Sequence, residues 1–224
     1  MIIWKITKRN YSLLRNKKYL VVSVLFIFFL TLLRLNGYEY IEIFKGTPAQ
    51  ENISFLSIPF SWLLFQWIPY ILFLELFAGI IYTLDRYLLG RVKANGFLFI
   101  SNYLSFFLLF LLYHLFVFCC TSTFTWLDFY LLLFNLLTNS LLSLFAFCLL
   151  FFLRSIYVFM VIIGVYFFTI FQYKFFSIIN YTMFERFSKL WTAEDTIILI
   201  MFVVFLILFS LFIRKFYFRE RYFL

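Results

Sequence analysis

Residues Phe97 to Cys120, FLFISNYLSFFLLFLLYHLFVFCC, contain no acidic residue, no lysine and no arginine. A helix needs about 20 mostly apolar residues to cross the roughly 30 Å hydrocarbon core of a bilayer. This stretch meets that length, and five other apolar stretches share the chain with it, separated by short polar breaks. The six candidate spans are approximately residues 19–35, 58–84, 97–120, 129–153, 156–171 and 196–213. The pattern predicts a polytopic membrane protein.

The composition supports the same fold class. The chain is 66% hydrophobic and 13% charged, which is too little polar surface for a water-soluble domain of this length. Glycine and proline contribute 6 and 3 of the 224 residues, so few residues break the apolar stretches. Transmembrane strands would alternate polar and apolar positions. We therefore expect an all-α integral membrane protein with six transmembrane helices.

The basic residues predict the orientation. If the N-terminus is cytoplasmic, 14 of the 19 lysines and arginines fall on cytoplasmic segments. The other side receives most of the acids and two longer loops, from Asn36 to Ser57 and from Gln172 to Asp195. The positive-inside rule then places both termini in the cytoplasm of a multi-pass protein of the cell membrane. The net charge of +9 follows from this bias and from contact with anionic lipid, and gives no argument for a nucleic acid partner.

The first 18 residues form a unit distinct from the six-span region, residues 19–224. Lys5, Lys8 and Arg9 share one helical face, Ile6 lies on the opposite face, and Trp4 suits the headgroup level. This pattern favours an amphipathic helix in the membrane interface. A plain basic anchor that only sets the orientation explains the residues equally well.

A charged segment joins the second and third candidate spans. It runs from Asp85 to Gly96 and remains compatible with a helix up to Gly90. It could present a compact surface to a cytoplasmic partner. A charge run beside a span is also commonly a solvated helix end, so both interpretations stay open.

A few polar residues lie inside the apolar stretches. Glu75 must be protonated, paired or directed into a polar cavity, because an isolated carboxylate in hydrocarbon is costly. Asn135, Thr138 and Asn139 form a cluster in the fourth span, and the spacing of four places both asparagines on one face. Hydrogen bonds between helices, the lining of a substrate path or a contact between subunits would explain this cluster. His114, the only histidine, is expected to face the bundle.

Catalytic and metal-binding motifs are absent. There is no GxxxxGK[ST] phosphate loop, no HExxH and no GxSxG, and the three cysteines lack zinc or disulfide spacing. They are expected to serve as small buried hydrophobic residues. We therefore expect no enzyme activity, no metal and no bound cofactor in this chain, and any use of ATP would require a separate subunit.

The basic amphipathic start, six spans, charged loop between spans 2 and 3, and basic C-terminal end resemble the membrane subunit of a type-2 ABC exporter. The layout looks closest to short permeases that low-GC Gram-positive bacteria pair with a separate ATPase. The resemblance implies a cytoplasmic ATPase partner that carries ATP and Mg²⁺, and a second permease subunit, identical or different. It implies export of a peptide, a lipid or an antimicrobial.

The resemblance also assigns residues. The elbow helix that precedes span 1 would comprise Trp4, Lys5, Ile6, Lys8 and Arg9. The surface that couples to the ATPase would comprise Asp85, Arg86, Arg91 and Lys93. Familiar members carry a Glu-rich, Thr-containing stretch after span 2, of which only Glu75, Thr83 and Asp85 remain here.

Two other functions are alternatives, and the size and the aromatic outer loops fit the first of them equally well. One is a non-transporting immunity or anchoring protein that binds a partner in the bilayer. The other is the substrate-binding membrane subunit of a vitamin importer, which also has six spans and buries a polar pocket. An ATPase partner would separate the exporter from the immunity factor.

Overall fold

The structure is a computed structural model. It describes residues 5, 8, 29–32, 34–47, 58–81, 95–171, 177–187, 197, 200, 201 and 203–212. These residues contain helices and no strand, so the expected all-α class is confirmed for the described part of the chain.

Eight helices have defined bounds within the described ranges. They are α1 (Tyr40–Ile43), α2 (Phe60–Gly79), α3 (Asn95–Thr121), α4 (Trp126–Leu149), α5 (Ser155–Phe171), α6 (Ser177–Asn180), α7 (Phe184–Phe187) and α8 (Val203–Phe212). Residues 29–32, 34 and 35 are also helical, as are Lys5 and Lys8, whose side chains are exposed.

Three of the described helices are long and apolar enough to cross a membrane. They are α2, residues Phe99–Thr121 of α3, and α4. The helices α5 and α8 are shorter apolar helices. The membrane-spanning character is thus supported for three helices, while the count of six spans and the orientation of the termini remain predictions.

Helices α3 and α4 form an antiparallel hairpin whose turn is encoded locally. Thr125 is the N-cap of α4: its hydroxyl oxygen accepts a hydrogen bond from the Asp128 amide at 3.3 Å, and the Asp128 carboxylate accepts one from the Thr125 amide at 3.2 Å. This capping box satisfies amides that have no partner inside the helix. It also explains why α4 begins at Trp126 rather than at the expected Phe129, since an acid belongs in the first turn.

The hairpin core is built from aromatic rings. Phe99 near the start of α3 lies 5.3 Å from Phe147 near the end of α4, between ring centroids. On its other side α3 packs against α2, where Phe106 lies 4.9 Å from Phe77 and Phe110 lies 4.7 Å from Tyr70. These edge-on contacts bury large apolar surfaces in a favourable geometry.

Helix α5 completes the described bundle beside α2. Trp62 lies 5.4 Å from Tyr166, and Trp67 lies 5.5 Å from Phe167. The expected fourth span extended to Leu153, whereas α4 ends at Leu149 and residues 150–154 form the turn into α5. An apolar run cannot show where a helix ends, because apolar residues also form tight turns between packed helices.

A proline lies inside α2 without ending it. Pro69 has no amide hydrogen, so the carbonyl of Phe65 loses the hydrogen bond that a helix normally provides. The hydroxyl of Tyr113 on α3 donates to that carbonyl at 2.9 Å. A neighbouring helix thus satisfies the carbonyl that the proline leaves free, as a membrane interior requires.

Candidate functional site

Polar side chains of α4 lie on one buried face at the middle of the bundle. Asn135, Thr138, Asn139 and Ser143 are each at most 1% exposed. Their spacing of three and four residues places them one above another along the helix. The structure therefore brings together Asn135, Thr138 and Asn139, which the sequence had singled out.

The partner of the two asparagines is Gln66 on α2. Its amide nitrogen donates to Asn135 Oδ1 at 2.6 Å, and its amide oxygen accepts from Asn139 Nδ2 at 2.8 Å. Asn135 also donates to the carbonyl of Leu131 at 2.8 Å, and Asn139 donates to the carbonyl of Asn135 at 3.0 Å. These bonds connect α2 and α4 through neutral groups alone.

Tyr166 brings α5 into the same network. Its hydroxyl lies 3.1 Å from Asn139 Oδ1 and 3.4 Å from Gln66 Oε1, and it can donate to one of them at a time. We define Gln66, Asn135, Asn139 and Tyr166 as the central network. All four residues are fully or almost fully buried. Sequence reasoning missed Tyr166, although a tyrosine inside an apolar span signals a need for a polar partner.

His114 on α3 is buried inside the bundle and 1% exposed. Neither of its ring nitrogens has a hydrogen-bond partner among the described residues, and the same is true of the Tyr70 hydroxyl and Trp67 Nε1. Buried polar groups are seldom left unpaired. Partners for these atoms would have to come from water or from groups outside the described residues.

The chemistry of the central network is limited to hydrogen bonding. The carboxamides of Gln66, Asn135 and Asn139 do not ionise near neutral pH, and within the described residues no group of three histidine, cysteine, aspartate or glutamate side chains could hold a metal ion. The network connects α2, α4 and α5 through hydrogen bonds.

Glu75 lies apart from the central network. Its side chain is exposed on the outward face of α2. The elbow residues Trp4, Ile6 and Arg9 lie outside the described residues, as does the coupling set Asp85, Arg86, Arg91 and Lys93. Of the cysteines, Cys148 is buried, Cys120 is half-buried and Cys119 is exposed, so burial holds for only one of the three.

One end of the bundle is closed by three segments, which we call the cap: residues 36–47, 122–125 and 177–187. The first and third segments join through the backbone, since the amides of Phe184 and Glu185 donate to the carbonyls of Phe44 and Lys45 at 2.8 and 2.9 Å. Trp62 Nε1 donates to Thr182 Oγ1 at 3.0 Å and fastens the third segment to α2.

Arg186 lies at the centre of the cap and is 2% exposed. Nε donates to the carbonyl of Thr47 at 2.9 Å, and Nη2 donates to Thr47 Oγ1 at 3.0 Å and to the carbonyl of Ile170 at 2.9 Å. Nη1 donates to the carbonyl of Thr169 at 2.8 Å and to Asn180 Oδ1. All five donors of the guanidinium are therefore satisfied, and every acceptor is uncharged.

The charge on Arg186 persists despite its burial. Burial lowers the pKa of Arg186 to about 10, so the guanidinium remains protonated at neutral pH. A buried charge is tolerated when hydrogen bonds replace the lost hydration. Arg186 thereby holds the first cap segment, the end of α5 and the third cap segment together.

Asp128 in the first turn of α4 lies against the second cap segment. Asp128 is fully buried, and its Oδ2 accepts from Ser122 Oγ at 2.9 Å and from the amide and hydroxyl of Thr123 at 3.1 and 3.0 Å. Its Oδ1 has no partner among the described residues, nor has the buried hydroxyl of Tyr40. Burial raises the pKa of Tyr40, and the negative charge of Asp128 adds to this effect.

Comparison with known proteins gives no relative on which an assignment could rest: no family model, no curated protein and no solved structure matches the chain. Function must therefore be argued from the residues and their arrangement.

Proposed function

We propose that this chain is the permease subunit of an ATP-driven ABC exporter, coupled to a separate cytoplasmic ATPase. Its cargo would be a peptide, a lipid or an antimicrobial. It would act in the cell membrane with six spans, both termini in the cytoplasm and a second permease subunit beside it. The chain would bind no cofactor itself, and ATP and Mg²⁺ would bind to the ATPase.

The observation that carries this proposal is the separation of charge between the two ends of the bundle. At the cap end the described basic residues, Arg34, Lys45 and Arg186, are outnumbered by the acids, Glu39, Glu42, Asp128 and Glu185. At the other end lies the exposed Arg154, in the turn between α4 and α5. The positive-inside rule then favours a cap that faces away from the cytoplasm.

This orientation directs the charged loop towards a cytoplasmic partner. Gly79 and Asn95, the last residue of α2 and the first of α3, lie at the end opposite to the cap. The segment that joins them contains Arg86, Arg91 and Lys93. In a type-2 exporter subunit the cytoplasmic loop between spans 2 and 3 docks on the ATPase, and this charged segment would take that role.

A pull-down from native membranes in mild detergent tests the proposal. The tagged chain should recover an ATPase in a one-to-one ratio, identified by mass spectrometry and by ATP hydrolysis. The variant Arg86→Ala/Arg91→Ala should lose the ATPase. Arg154→Ala is the matched control, because it removes a charge from the same end outside the charged loop and should retain the ATPase. Recovery of the membrane protein alone would contradict the proposal.

A second candidate, a membrane immunity or anchoring protein, is favoured by one observation on the cap. Next to its capped turn the structure exposes Phe124, Trp126 and Tyr130, with Trp126 81% exposed. Exposed aromatic clusters mark partner sites as well as the membrane interface. Such a protein would protect cells without any ATPase and would lose protection on Trp126→Ala, whereas an exporter would need the ATPase for every cargo.

A further inference from the structure

The turn between α3 and α4 exposes a large apolar surface at the cap. Its most exposed residues are Trp126, at 81%, and Phe124, at 61%, and Leu127, Phe129 and Tyr130 are exposed beside them. We define these five residues as the aromatic surface. Phe124 has a φ of +59°, a left-handed conformation that is costly for a residue with a side chain. The backbone therefore accepts strain at a residue whose ring lies largely outside the packed core.

The backbone amides of this turn are all satisfied within the chain. The Ser122 amide continues the helical pattern of α3 at 2.8 Å, and the Phe124 amide donates to Ser122 Oγ at 2.8 Å. The amides of Thr123 and Thr125 donate to Asp128 Oδ2 at 3.1 and 3.2 Å. A turn in water can leave its amides to the solvent, whereas the apolar part of a bilayer offers them no partner. The amides of residues 122–125 need no contact with water.

The turn also hides its charge. Asp128 is the only lysine, arginine, aspartate or glutamate between Leu112 and Leu133, and it is fully buried. The exposed charges of the cap belong to its other two segments, where they are Glu39, Glu42, Lys45 and Glu185. The surface around the turn is thus apolar, while the rest of the cap presents charges to its surroundings.

The aromatic surface continues into the exposed face of a helix that is long enough to span a membrane. Trp126, Tyr130 and Leu133 follow at spacings of four and three, and each is more than half exposed. The 24 residues of α4 extend about 36 Å at 1.5 Å per residue, which exceeds the roughly 30 Å hydrocarbon core. A bilayer that covers Leu133 therefore has its headgroup boundary close to Trp126, where tryptophan and tyrosine are enriched.

A cation borders the aromatic surface. Arg34 Nη1 donates to the carbonyl of Thr121, the last residue of α3, at 3.0 Å, so its guanidinium lies at the base of the turn. The Arg34 side chain is exposed. Guanidinium groups bind phosphate through paired hydrogen bonds, and phosphate is the group that lipid headgroups provide next to the hydrocarbon boundary. The charge at the rim of the surface thus complements a phospholipid.

We infer that the turn between α3 and α4 lies in the boundary between the phospholipid headgroups and the hydrocarbon core. The aromatic surface enters this boundary, and Arg34 contacts lipid phosphate. The partner of the surface is the membrane itself, and the turn fixes how deeply the hairpin of α3 and α4 is immersed. This inference goes beyond the proposed function and does not depend on an ATPase partner.

Spin-label accessibility in liposomes tests the surroundings of the turn. The full chain, with its three cysteines replaced by serine or alanine, receives one nitroxide at Leu127→Cys, Leu133→Cys or Glu42→Cys in vesicles of phosphatidylcholine and phosphatidylglycerol. Oxygen concentrates in lipid, whereas a charged nickel chelate is restricted to water. The label at position 127 should collide more often with oxygen than with the chelate. Position 133 lies about 9 Å further along α4 and should show this preference more strongly.

Glu42→Cys is the matched control, because Glu42 is an exposed acid of the first cap segment. Its label should favour the chelate. All three labelled positions are exposed, so the labels should leave the bundle folded. Equal contact with the chelate at positions 127 and 42 would place the turn in water and overturn the inference. Protection from both reagents at position 127 would show a protein partner, which overturns the inference and favours the immunity or anchoring protein.

A second measurement uses the fluorescence of Trp126. Lipids that carry bromine on the upper part of their acyl chains quench tryptophans that lie just below the headgroups. Such lipids should quench a larger fraction of the fluorescence in the wild-type chain than in Trp126→Phe. Trp62→Phe is the control: Trp62 is fully buried, so its removal should raise the quenched fraction. Equal quenching of wild type and Trp126→Phe would contradict contact between Trp126 and lipid.

Discussion

The central network and the Arg186 site both hold buried polar groups between segments of the bundle. The network lies in the middle of the bundle and the Arg186 site at its end, and their chemistry differs. Gln66, Asn135, Asn139 and Tyr166 are neutral and bond mainly to one another across three helices. Arg186 carries a full charge, lies at the end of the bundle, and bonds mainly to backbone carbonyls. The charge is tolerated where loop and helix-end carbonyls surround it, whereas the groups in the apolar middle are themselves neutral.

The largest expected effect is the destabilisation of the cap by replacement of Arg186. Arg186→Met keeps the length of the side chain and removes five hydrogen bonds, which leaves several buried carbonyls unpaired. We expect a loss of about 3 kcal/mol or more in the free energy of unfolding, measured by thermal unfolding in mild detergent. Arg34→Met is the control: Arg34 is exposed and donates a single bond, to the carbonyl of Thr121 at 3.0 Å. Similar losses in both variants would show that Arg186 does not hold the cap together.

A second prediction tests how tightly the cap is packed. Gly46 has a φ of +71°, and a Cβ added there would collide with the side chain of Met183. Gly37 has a φ of +80° but open space around the same position. Gly46→Ala should therefore lower the free energy of unfolding by about 2 kcal/mol or more. Gly37→Ala should lower it by about 1 kcal/mol, since only backbone strain acts at Gly37.

The measurement for this pair is again the thermal unfolding temperature in the same detergent. The difference between the two alanine variants reports the collision with Met183. If Gly37→Ala destabilises the chain as much as Gly46→Ala does, the cap is less closely packed around Met183 than the structure indicates.

A third prediction concerns the central network. Gln66→Leu and Asn139→Leu should each lower the free energy of unfolding by about 1 kcal/mol, because polar contacts between membrane helices contribute little individually. The double variant should lose less free energy of unfolding than the sum of the two single losses. Each single change already removes the hydrogen bond between Asn139 and Gln66. The pair Gln66→Leu and Thr125→Ala has no shared partner and should be additive. Additivity in both pairs would mean that the network does not couple α2 to α4.

The smallest effect is expected at the turn between α3 and α4. Thr125→Ala removes the side-chain cap of α4 and should lower the free energy of unfolding by about 0.5 kcal/mol. Thr125→Ser retains the hydroxyl and should remain close to wild type. Unfolding temperatures of both variants give the comparison, and an equal loss in the two would assign the effect to packing of the threonine methyl group.

The main helices could be predicted from sequence because length and hydropathy are local properties. The stretches assigned to residues 97–120 and 156–171 correspond closely to α3 and α5. The common face of Asn135 and Asn139 followed from their spacing. Their partners could not be predicted, because Gln66 lies 69 residues before Asn135 and only the packed bundle brings α2 against α4.

Arg186 shows the same limit more sharply. From sequence it was one of a few basic residues in an aromatic loop, and nothing in its neighbourhood indicates burial. Its environment depends on Thr47 and on the end of α5, which are distant in sequence. Glu75 differs again: its polarity inside a span was evident, but the direction of its side chain depends on which face of α2 the other helices cover.

The bonds of Arg186 also have a consequence for biogenesis. Thr47 is synthesised 139 residues before Arg186, so the acceptors in the first cap segment have no donor from Arg186 until α2 through α5 have been synthesised. Closure of the cap is therefore a late event in assembly. A nascent chain that stops before α7 lacks Arg186, and the carbonyls of Thr47, Thr169 and Ile170 then lack the donor that they share in the complete chain.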